Sequence, residues 1–259
     1  FQAEDGIRDR SPSRGLGDVY KRQMEDEDLI EREDMVVTVT SGGYIKRTPL
    51  IDFRAQRRGG KGLAGMQTKD EDVVTTLFVA NTHTQLLFFT TDGMAYKLKT
   101  WRLPLGGRTA KGKAIVNILP IPVGVSIAAI MPVDVEEKEW DNLQIVFATS
   151  AGDIRRNALS DFTNVRSNGK IAMDLNEGTE LVNARIAGEE DDVMLFTDSG
   201  RAIRFSTTAV RVLKGRKSTG VRGIKLLGKD KVVSMSVIRH FIFFVIIIWI
   251  VTQKYNFRF

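Results

Sequence analysis

The amino-acid sequence predicts an all-β fold in which about four small four-stranded sheets repeat radially, in the manner of a propeller. Three observations lead to this class. One short motif recurs four times, segments of strand length flank every copy, and no long segment keeps the 3.6-residue period of an amphipathic helix. A four-stranded unit of roughly 50 residues cannot bury its own apolar faces, so such units stack against one another. The alternative, unrelated hairpins in a β-sandwich, does not account for four copies in one register.

The recurring motif is an apolar strand that ends in threonine, two linking residues, a glycine, three further residues and a basic side chain. Its glycines are spaced 50, 59 and 48 residues apart, and a second glycine follows each of them after 19, 19, 17 and 20 residues. The four copies consist of Thr40, Gly43 and Arg47; Thr90, Gly93 and Lys97; Thr149, Gly152 and Arg156; and Thr197, Gly200 and Arg204. The second glycines are Gly62, Gly112, Gly169 and Gly220.

Each unit is predicted to consist of four short strands. The first is apolar, and the glycine after it permits the positive φ of a tight hairpin turn. The second strand alternates polar and apolar residues, a longer basic loop leads to the third, and the fourth is β-branched and apolar. The first strands are Val36–Thr40, Leu86–Thr90, Ile145–Thr149 and Val193–Thr197, and the second include Tyr44–Thr48 and Ala202–Ser206. The third include Lys113–Leu119 and Val221–Leu227, and the fourth are Val73–Val79, Val125–Met131, Leu181–Ile186 and Val232–Ile238.

The repeats place the domain at residues 35–239, and both ends of the chain differ from it in character. Residues 1–23 lack a periodic apolar pattern and resemble translated sequencing-adapter read-through, so we expect them to lie outside the fold. Residues 24–34 form an acidic leader. The apolar run Phe241–Val251 is shorter than the roughly 20 residues that a membrane-spanning helix needs. We therefore expect residues 240–259 to be a frame slip or read-through.

Charge and composition favour a binding module over an enzyme. The formal net charge is +6 although residues 25–34 carry seven acidic side chains and one basic one, so the repeats carry a basic excess that is mild beside that of typical nucleic-acid-binding proteins. A basic body suggests a polyanionic partner, and a solvated basic surface remains the alternative. The chain has no cysteine and only His83 and His240, which excludes disulfides and thiolate metal sites and argues against histidine-ligated metals. No Ser/His/Asp set or carboxylate pair suggests catalysis, and we expect no cofactor.

The loop of the first repeat carries the most concentrated signal. Its seven residues contain three cations and three glycines: Gln56, Arg57, Arg58, Gly59, Gly60, Lys61 and Gly62. Guanidinium groups match phosphate oxygens, and glycine leaves backbone N–H groups accessible to a target. The loop has no Walker pairing of lysine with a hydroxyl residue, which argues against nucleotide binding.

The later repeats carry weaker versions of this basic loop. Because equivalent loops of a radial repeat share one rim, their cations are expected to form a belt that can bind a polyanion. The candidate phosphate-binding residues there are Arg108, Lys111, Lys113, Arg166, Lys170, Arg216, Lys217 and Arg222. Cations just beyond the hairpin turns are expected to extend the belt, namely Lys46, Arg47, Lys97, Arg155, Arg156 and Arg204. For each single residue, a solvated surface charge is the alternative.

The heptapeptide Gln56–Gly62 is identical in form to the box that marks the C-terminal domain family of DNA gyrase A subunits. Leu77–Thr82, Val116–Leu119 and Thr219–Ile224 also resemble that family, and the resemblance covers about residues 24–239. It implies a β-pinwheel, a six-bladed disc whose strands are exchanged between neighbouring blades. It further implies sequence-independent, right-handed wrapping of double-stranded DNA around the rim, in support of negative supercoiling.

The resemblance also implies the setting of the domain. The partners would be the B subunit, together with the remaining domains of the gyrase A chain, in an A2B2 holoenzyme. That holoenzyme binds ATP and Mg²⁺ in other domains and holds the catalytic tyrosine elsewhere. The location would be the bacterial cytoplasm, at the nucleoid, without a membrane. Only four of the family's six blades are legible here, which leaves ring closure open.

Two alternatives stay open at this point. The corresponding domain of topoisomerase IV has the same fold but a degenerate or missing box, and the intact heptapeptide argues against it. A propeller-like protein-interaction scaffold would lack DNA binding. The salt dependence of binding distinguishes a DNA-binding domain from such a scaffold. Binding through phosphate contacts weakens steeply as the salt concentration rises, whereas binding in an apolar groove changes little.

Overall fold

The computed structural model describes residues 29–53, 72–214 and 218–239. Short β-strands and 3₁₀ turns make up its regular structure, and no α-helix occurs in these three ranges. The strands in chain order are β1 (Asp34–Thr40), β2 (Tyr44–Pro49), β3 (Val74–Asn81), β4 (Gln85–Thr90), β5 (Met94–Lys99), β6 (Lys113–Ala114), β7 (Ile127–Val133), β8 (Gln144–Thr149), β9 (Asp153–Ala158), β10 (Lys170–Ile171), β11 (Leu181–Ile186), β12 (Asp192–Thr197), β13 (Ala202–Ser206), β14 (Val221–Arg222) and β15 (Val232–Ile238).

The strands form four antiparallel sheets, numbered here as blades 1 to 4. Their strand orders are β3-β1-β2-β6, β10-β5-β4-β7, β11-β8-β9-β14 and β13-β12-β15. The predicted all-β, propeller-like class is confirmed, with three four-stranded blades and a fourth of three strands among the described residues. The two end segments that we expect to lie outside the fold, residues 1–23 and 240–259, are not among the described residues. Their boundaries therefore stay predictions.

The hairpin turns explain the threonine and glycine of the repeated motif. Each turn glycine has a positive φ, at 75°, 80°, 85° and 80° for Gly43, Gly93, Gly152 and Gly200, and its amide donates to the carbonyl of the threonine three residues earlier. In three copies the threonine hydroxyl also accepts from the amide that follows the glycine, at 3.1 to 3.3 Å. The side chain and the backbone of one residue thus close the turn together, at equivalent positions in the repeats.

The third strands of the second, third and fourth repeats differ from the prediction in length and partner. In the second repeat only Lys113 and Ala114 form a strand, and Ile115–Asn117 is a 3₁₀ turn. The short strand β6 pairs with β2 of the preceding blade, where Lys113 lies opposite Ile45. In the same way β10 joins blade 2 and β14 joins blade 3. Neighbouring blades therefore exchange a strand, as the resemblance implied, because the second strand of each hairpin offers an open hydrogen-bonding edge.

The cores lie between successive blades and not within one sheet. On β4 the alternate residues Leu86 and Phe88 pack toward blade 1, whereas Leu87 and Phe89 pack toward blade 3. A third cluster between blades 3 and 4 contains Val146 of β8. Strands buried on both faces have unbroken apolar runs, which is why the first strands have apolar residues at nearly every position.

An inner and an outer edge can be assigned from the contacts of the edge strands. Strand β11 packs against both β7 and β15, so these three strands of successive blades lie toward the centre. The exchanged strands β6, β10 and β14 lie at the opposite edges of their sheets. The basic loops that precede them are therefore on the outside of the molecule.

Candidate nucleic-acid interface

The predicted DNA-binding residues separate into described and undescribed sets. The heptapeptide Gln56–Gly62, with Arg216 and Lys217, lies outside the described residues. The remaining six candidates lie in or beside the exchanged strands, at the outer edges of three successive blades. They are Arg108, Lys111, Lys113, Arg166, Lys170 and Arg222.

The loop of the second repeat presents three cations at the outer edge of blade 1. Lys113 is exposed, and Arg108 and Lys111 are half-buried. The Lys111 Nζ lies 3.7 Å from the centroid of the Tyr44 ring, a cation–π contact that fixes the ammonium on the outer face. Such contacts leave the charge able to attract a phosphate while removing some of the side chain's freedom.

The described parts of the other two loops, which exclude residues 215–217, carry three candidate cations between them. Arg166 and Arg222 are exposed, whereas Lys170 is half-buried and its Nζ donates to the Asp161 carbonyl. Arg222 lies opposite Asp153 in the β9–β14 pairing. Burial raises the pKa of Asp153, and the nearby charge of Arg222 opposes that rise.

The second glycines of the motif serve packing between blades. Gly112, Gly169 and Gly220 have φ values of 83°, 84° and 91°. A Cβ atom at Gly112 or Gly220 would stand 2.5 or 2.3 Å from a carbonyl oxygen of the preceding blade, and one at Gly169 would stand 2.8 Å from the Tyr96 ring. These glycines are required because the loop crosses the neighbouring sheet at contact distance. The prediction that glycine lets the loop approach DNA remains for Gly59 and Gly60.

The prediction that cations beyond the hairpin turns extend the exposed belt is wrong for three of them. Lys46 and Arg155 are 0% exposed and Arg156 is 4% exposed. Arg47 and Lys97 are half-buried, and Arg204 is exposed but pairs with Asp192 at 2.6 Å. The physical reason is that Lys46, Arg47, Lys97, Arg155 and Arg156 donate hydrogen bonds to carbonyl groups of the next repeat.

Blade 1 holds the loop of the second repeat through three consecutive residues, which we call the first clamp: Lys46, Arg47 and Thr48. The Lys46 Nζ donates to the carbonyls of Gly107, at 3.0 Å, and of Arg108. The Arg47 Nε donates to the Leu103 carbonyl at 2.9 Å, and its backbone amide to the Pro104 carbonyl at 2.9 Å. The Thr48 hydroxyl donates to the Gly106 carbonyl at 2.8 Å. Loss of hydration in this setting lowers the pKa of Lys46 and of Arg47.

Blade 3 repeats the arrangement with the second clamp, formed by Arg155, Arg156 and Asn157. Arg155 donates to the Ser218 carbonyl at 2.6 Å, and Asn157 to the Leu213 carbonyl at 3.0 Å. Arg156 donates to the Thr207 and Val210 carbonyls at 2.9 and 3.1 Å. Burial lowers the pKa of Arg155.

Blade 2 holds its neighbour differently. Tyr96 occupies the position of Lys46, and its hydroxyl donates to the Pro120 carbonyl of its own repeat at 3.2 Å. Lys97 donates to the Thr163 carbonyl and forms an ion pair with Glu137 at 2.7 Å. Burial raises the pKa of the Tyr96 hydroxyl.

The end of the acidic leader is attached to the turn between β3 and β4. The Thr82 hydroxyl donates to the Glu31 carbonyl at 2.8 Å, and the His83 Nε2 lies 2.8 Å from the Ile30 carbonyl oxygen. His83 thus has a structural partner. Among the described residues, no group of three or more histidine and acidic side chains has the geometry of a metal site. In the same ranges, no helix is long and apolar enough to cross a membrane.

Stacked sheets with exchanged outer strands and cationic outer loops define a β-propeller module with a basic periphery. The family model "DNA gyrase C-terminal domain, beta-propeller" matches residues 34–81, 84–134, 144–187 and 191–239. These segments make up most of the chain and coincide with the four repeats. The chain therefore belongs to the DNA gyrase C-terminal domain family.

Curated relatives agree with the family. The chain is 50% identical over 213 residues to the DNA gyrase A subunit of Rickettsia bellii, which covers 82% of this chain and 24% of the relative. It is 49% identical over 232 residues to the DNA gyrase A subunit of Granulibacter bethesdensis, covering 89% and 25%. The chain spans about a quarter of the length of these relatives.

Two solved structures share the fold. The C-terminal domain of DNA topoisomerase IV superposes with a TM-score of 0.67 at 26% identity, over 82% of this chain and 63% of that one. A DNA gyrase A C-terminal domain superposes with a TM-score of 0.61 at 25% identity, over 79% and 65%. The structures do not discriminate between the two enzymes, but the curated relatives at about 50% identity favour gyrase.

Proposed function

We propose that this domain binds double-stranded DNA without sequence specificity and wraps it in a right-handed sense along the outer edges of its blades. The observation that carries the proposal is the recurrence of basic loops at equivalent outer positions of successive blades. A duplex that follows the outside of the molecule would meet these loops one after another. Their cations bind phosphates, which are the same in every sequence.

Within the same proposal, the domain is the non-catalytic C-terminal part of a gyrase A chain in a type II topoisomerase. Its wrap presents a nearby duplex for passage, so that ATP-driven strand passage introduces negative supercoils. The protein partners are the B subunit, together with the remaining domains of the gyrase A chain, in an A2B2 assembly at the bacterial nucleoid. ATP and Mg²⁺ bind to those other domains. What supports this is the family membership and the identity to gyrase A subunits over most of the chain.

The first test is the salt dependence of binding by the chain itself. If about six phosphates are neutralised, the logarithm of the association constant falls with the logarithm of salt concentration at a slope of roughly −5. A fluorescence titration with duplexes of two unrelated sequences measures both the slope and the specificity. A flat response would contradict the proposal and favour a protein-interaction scaffold.

The second test addresses the heptapeptide Gln56–Gly62. Bending a stiff duplex costs several kcal/mol, which contacts at the ends of the wrapped arc recover. Alanines throughout the heptapeptide are therefore expected to abolish supercoiling and spare ATP-driven relaxation, in a holoenzyme whose gyrase A chain carries six blades. The matched control removes three cations from the loop of the second repeat, through Arg108→Ala, Lys111→Ala and Lys113→Ala, and should weaken supercoiling without abolishing it. Unchanged supercoiling by the heptapeptide variant would show that the loop is only a solvated turn.

A further inference from the structure

The first clamp has a chemical feature that ordinary interblade packing does not require. The first clamp engages five carbonyl groups between Leu103 and Arg108, all from the loop that carries candidate DNA-binding cations. Three of the five are bound by side chains at the loop's centre, where Lys46 and Thr48 bind Gly106, Gly107 and Arg108. The clamp therefore fixes the loop's backbone at Arg108, the first of its three cations, and in the residues just before it.

The direction of these hydrogen bonds matters for an anion. A carbonyl oxygen that faces a phosphate repels it, whereas a carbonyl bound from below turns its negative end away from the surface. The buried ammonium of Lys46 also adds a positive charge behind the loop. Because the backbone is already ordered, binding to DNA costs less conformational entropy than it would for a mobile loop.

We propose that Lys46 is a positioning residue for DNA binding, which turns carbonyl groups of the next repeat's basic loop inward so that the loop's cations face the DNA. This inference rests on the proposed function. Blade 2 supports it by contrast, since Tyr96 stands at the same position and donates to Pro120, which lies outside the received loop. A basic loop held by a buried lysine at this position thus coexists with one that is held through Lys97.

The test compares DNA affinity in the 259-residue chain with and without the first clamp's charge. Lys46→Met keeps the length and apolar stem of the side chain and removes its donors, and Lys46→Arg restores them. Losing one or two hydrogen bonds of ordinary net strength should weaken binding to a short duplex about fivefold to tenfold. Lys46→Arg should recover most of that loss. Tyr96→Phe, the matched control on blade 2, should leave the affinity unchanged.

A double-mutant cycle separates positioning from general stability. The triple variant Arg108→Ala, Lys111→Ala and Lys113→Ala removes the cations that the clamp is inferred to present. In that background Lys46→Met should change the affinity by less than about twofold, because no cations remain to be positioned. An equal loss in both backgrounds would overturn the inference. A triple variant that binds as tightly as the parent would instead contradict the proposed function.

A second variant keeps the inference testable if Lys46→Met fails to fold. Thr48→Val nearly preserves the size and shape of the side chain and changes no charged group. It removes only the hydrogen bond to the Gly106 carbonyl. It should weaken DNA binding by about twofold to fivefold, and again only when the loop's cations are present. Affinity equal to that of the parent in the folded variant would overturn the inference.

Discussion

Blades 1 and 2 receive the same element from their neighbours, a basic loop that ends in a glycine and a two-residue strand. Blade 1 holds it with a buried lysine, an arginine and a threonine that donate to backbone carbonyls. In blade 2 the Tyr96 ring faces the corresponding glycine, Gly169. Lys97 of blade 2 donates to the Thr163 carbonyl of the loop that this blade receives. The comparison shows that the repeat preserves a backbone arrangement, while the chemistry that secures each loop varies from blade to blade.

The largest expected difference between the blades comes from their loop glycines. In Gly112→Ala the new Cβ would stand 2.5 Å from the carbonyl oxygen of Ile45, whereas in Gly169→Ala it would meet the side chains of Tyr96 and Met94. Both positions have positive φ, but only side chains can move aside at little cost. We expect a loss of roughly 3 to 4 kcal/mol in unfolding free energy for Gly112→Ala and about 1 to 2 kcal/mol for Gly169→Ala. Urea denaturation measures both, and equal losses would contradict the account of blade 1.

A smaller difference is expected in the response of the two hairpin turns to acid. In blade 1 the backbone amide of Gly42, at 2.7 Å, and then the Ser41 hydroxyl, at 3.1 Å, bind the Asp72 carboxylate and hold its pKa below the ordinary value. In blade 2 the corresponding contact runs from the Ser126 amide to the Thr91 hydroxyl. The carboxylate of that turn, Asp92, instead accepts from the Thr90 hydroxyl within the hairpin and, at 3.4 Å, from the Met94 amide.

The sign of the effect follows from the direction of that pKa shift. A carboxylate whose pKa is lower in the folded protein stabilises the fold fully above its unfolded pKa, about 4, and the contribution is lost as the pH falls below that value. We expect amide exchange at the blade 1 turn to accelerate between about pH 5 and pH 3 more than at the blade 2 turn, after correction for intrinsic rates. Asp72→Asn should remove the difference. A difference that persists in the variant would assign the acid response to another group.

Much of the fold could be predicted from the sequence because its signals are local. The turn at Gly43 requires a residue that tolerates positive φ, and its equivalents occur at regular intervals. The residue pattern alone did not predict the pairing of Lys113 with Ile45, because an open sheet edge in a preceding repeat leaves no signal in the sequence of the strand that pairs with it. Strand exchange was implied only by the family resemblance. The third strand was accordingly predicted too long and was placed in its own blade.

The burial of Lys46 and Arg155 was also missed, for a physical reason. A cation can be buried when carbonyls from a distant segment satisfy it, and those carbonyls carry no sequence signal. One signal was present nonetheless. The equivalent positions in the other two repeats are Tyr96 and Ile203, which are typical of an inward-facing site. Aligning the repeats by position would have indicated that Lys46 points into the structure.

The central claim is that DNA follows the outer edges of the blades. The most direct test compares two variants that each lose three positive charges, one at the outer edge and one elsewhere on the surface. One variant combines Arg108→Ala, Lys111→Ala and Lys113→Ala at the outer edge of blade 1. The matched variant combines Lys138→Ala, Arg185→Ala and Lys229→Ala, three exposed cations outside the outer-edge loops. If each outer cation neutralises one phosphate, the first variant should reduce the magnitude of the salt slope by about 2 to 3, and the second should leave it unchanged. Equal reductions in both variants would show that DNA responds to net charge alone, and would contradict the account.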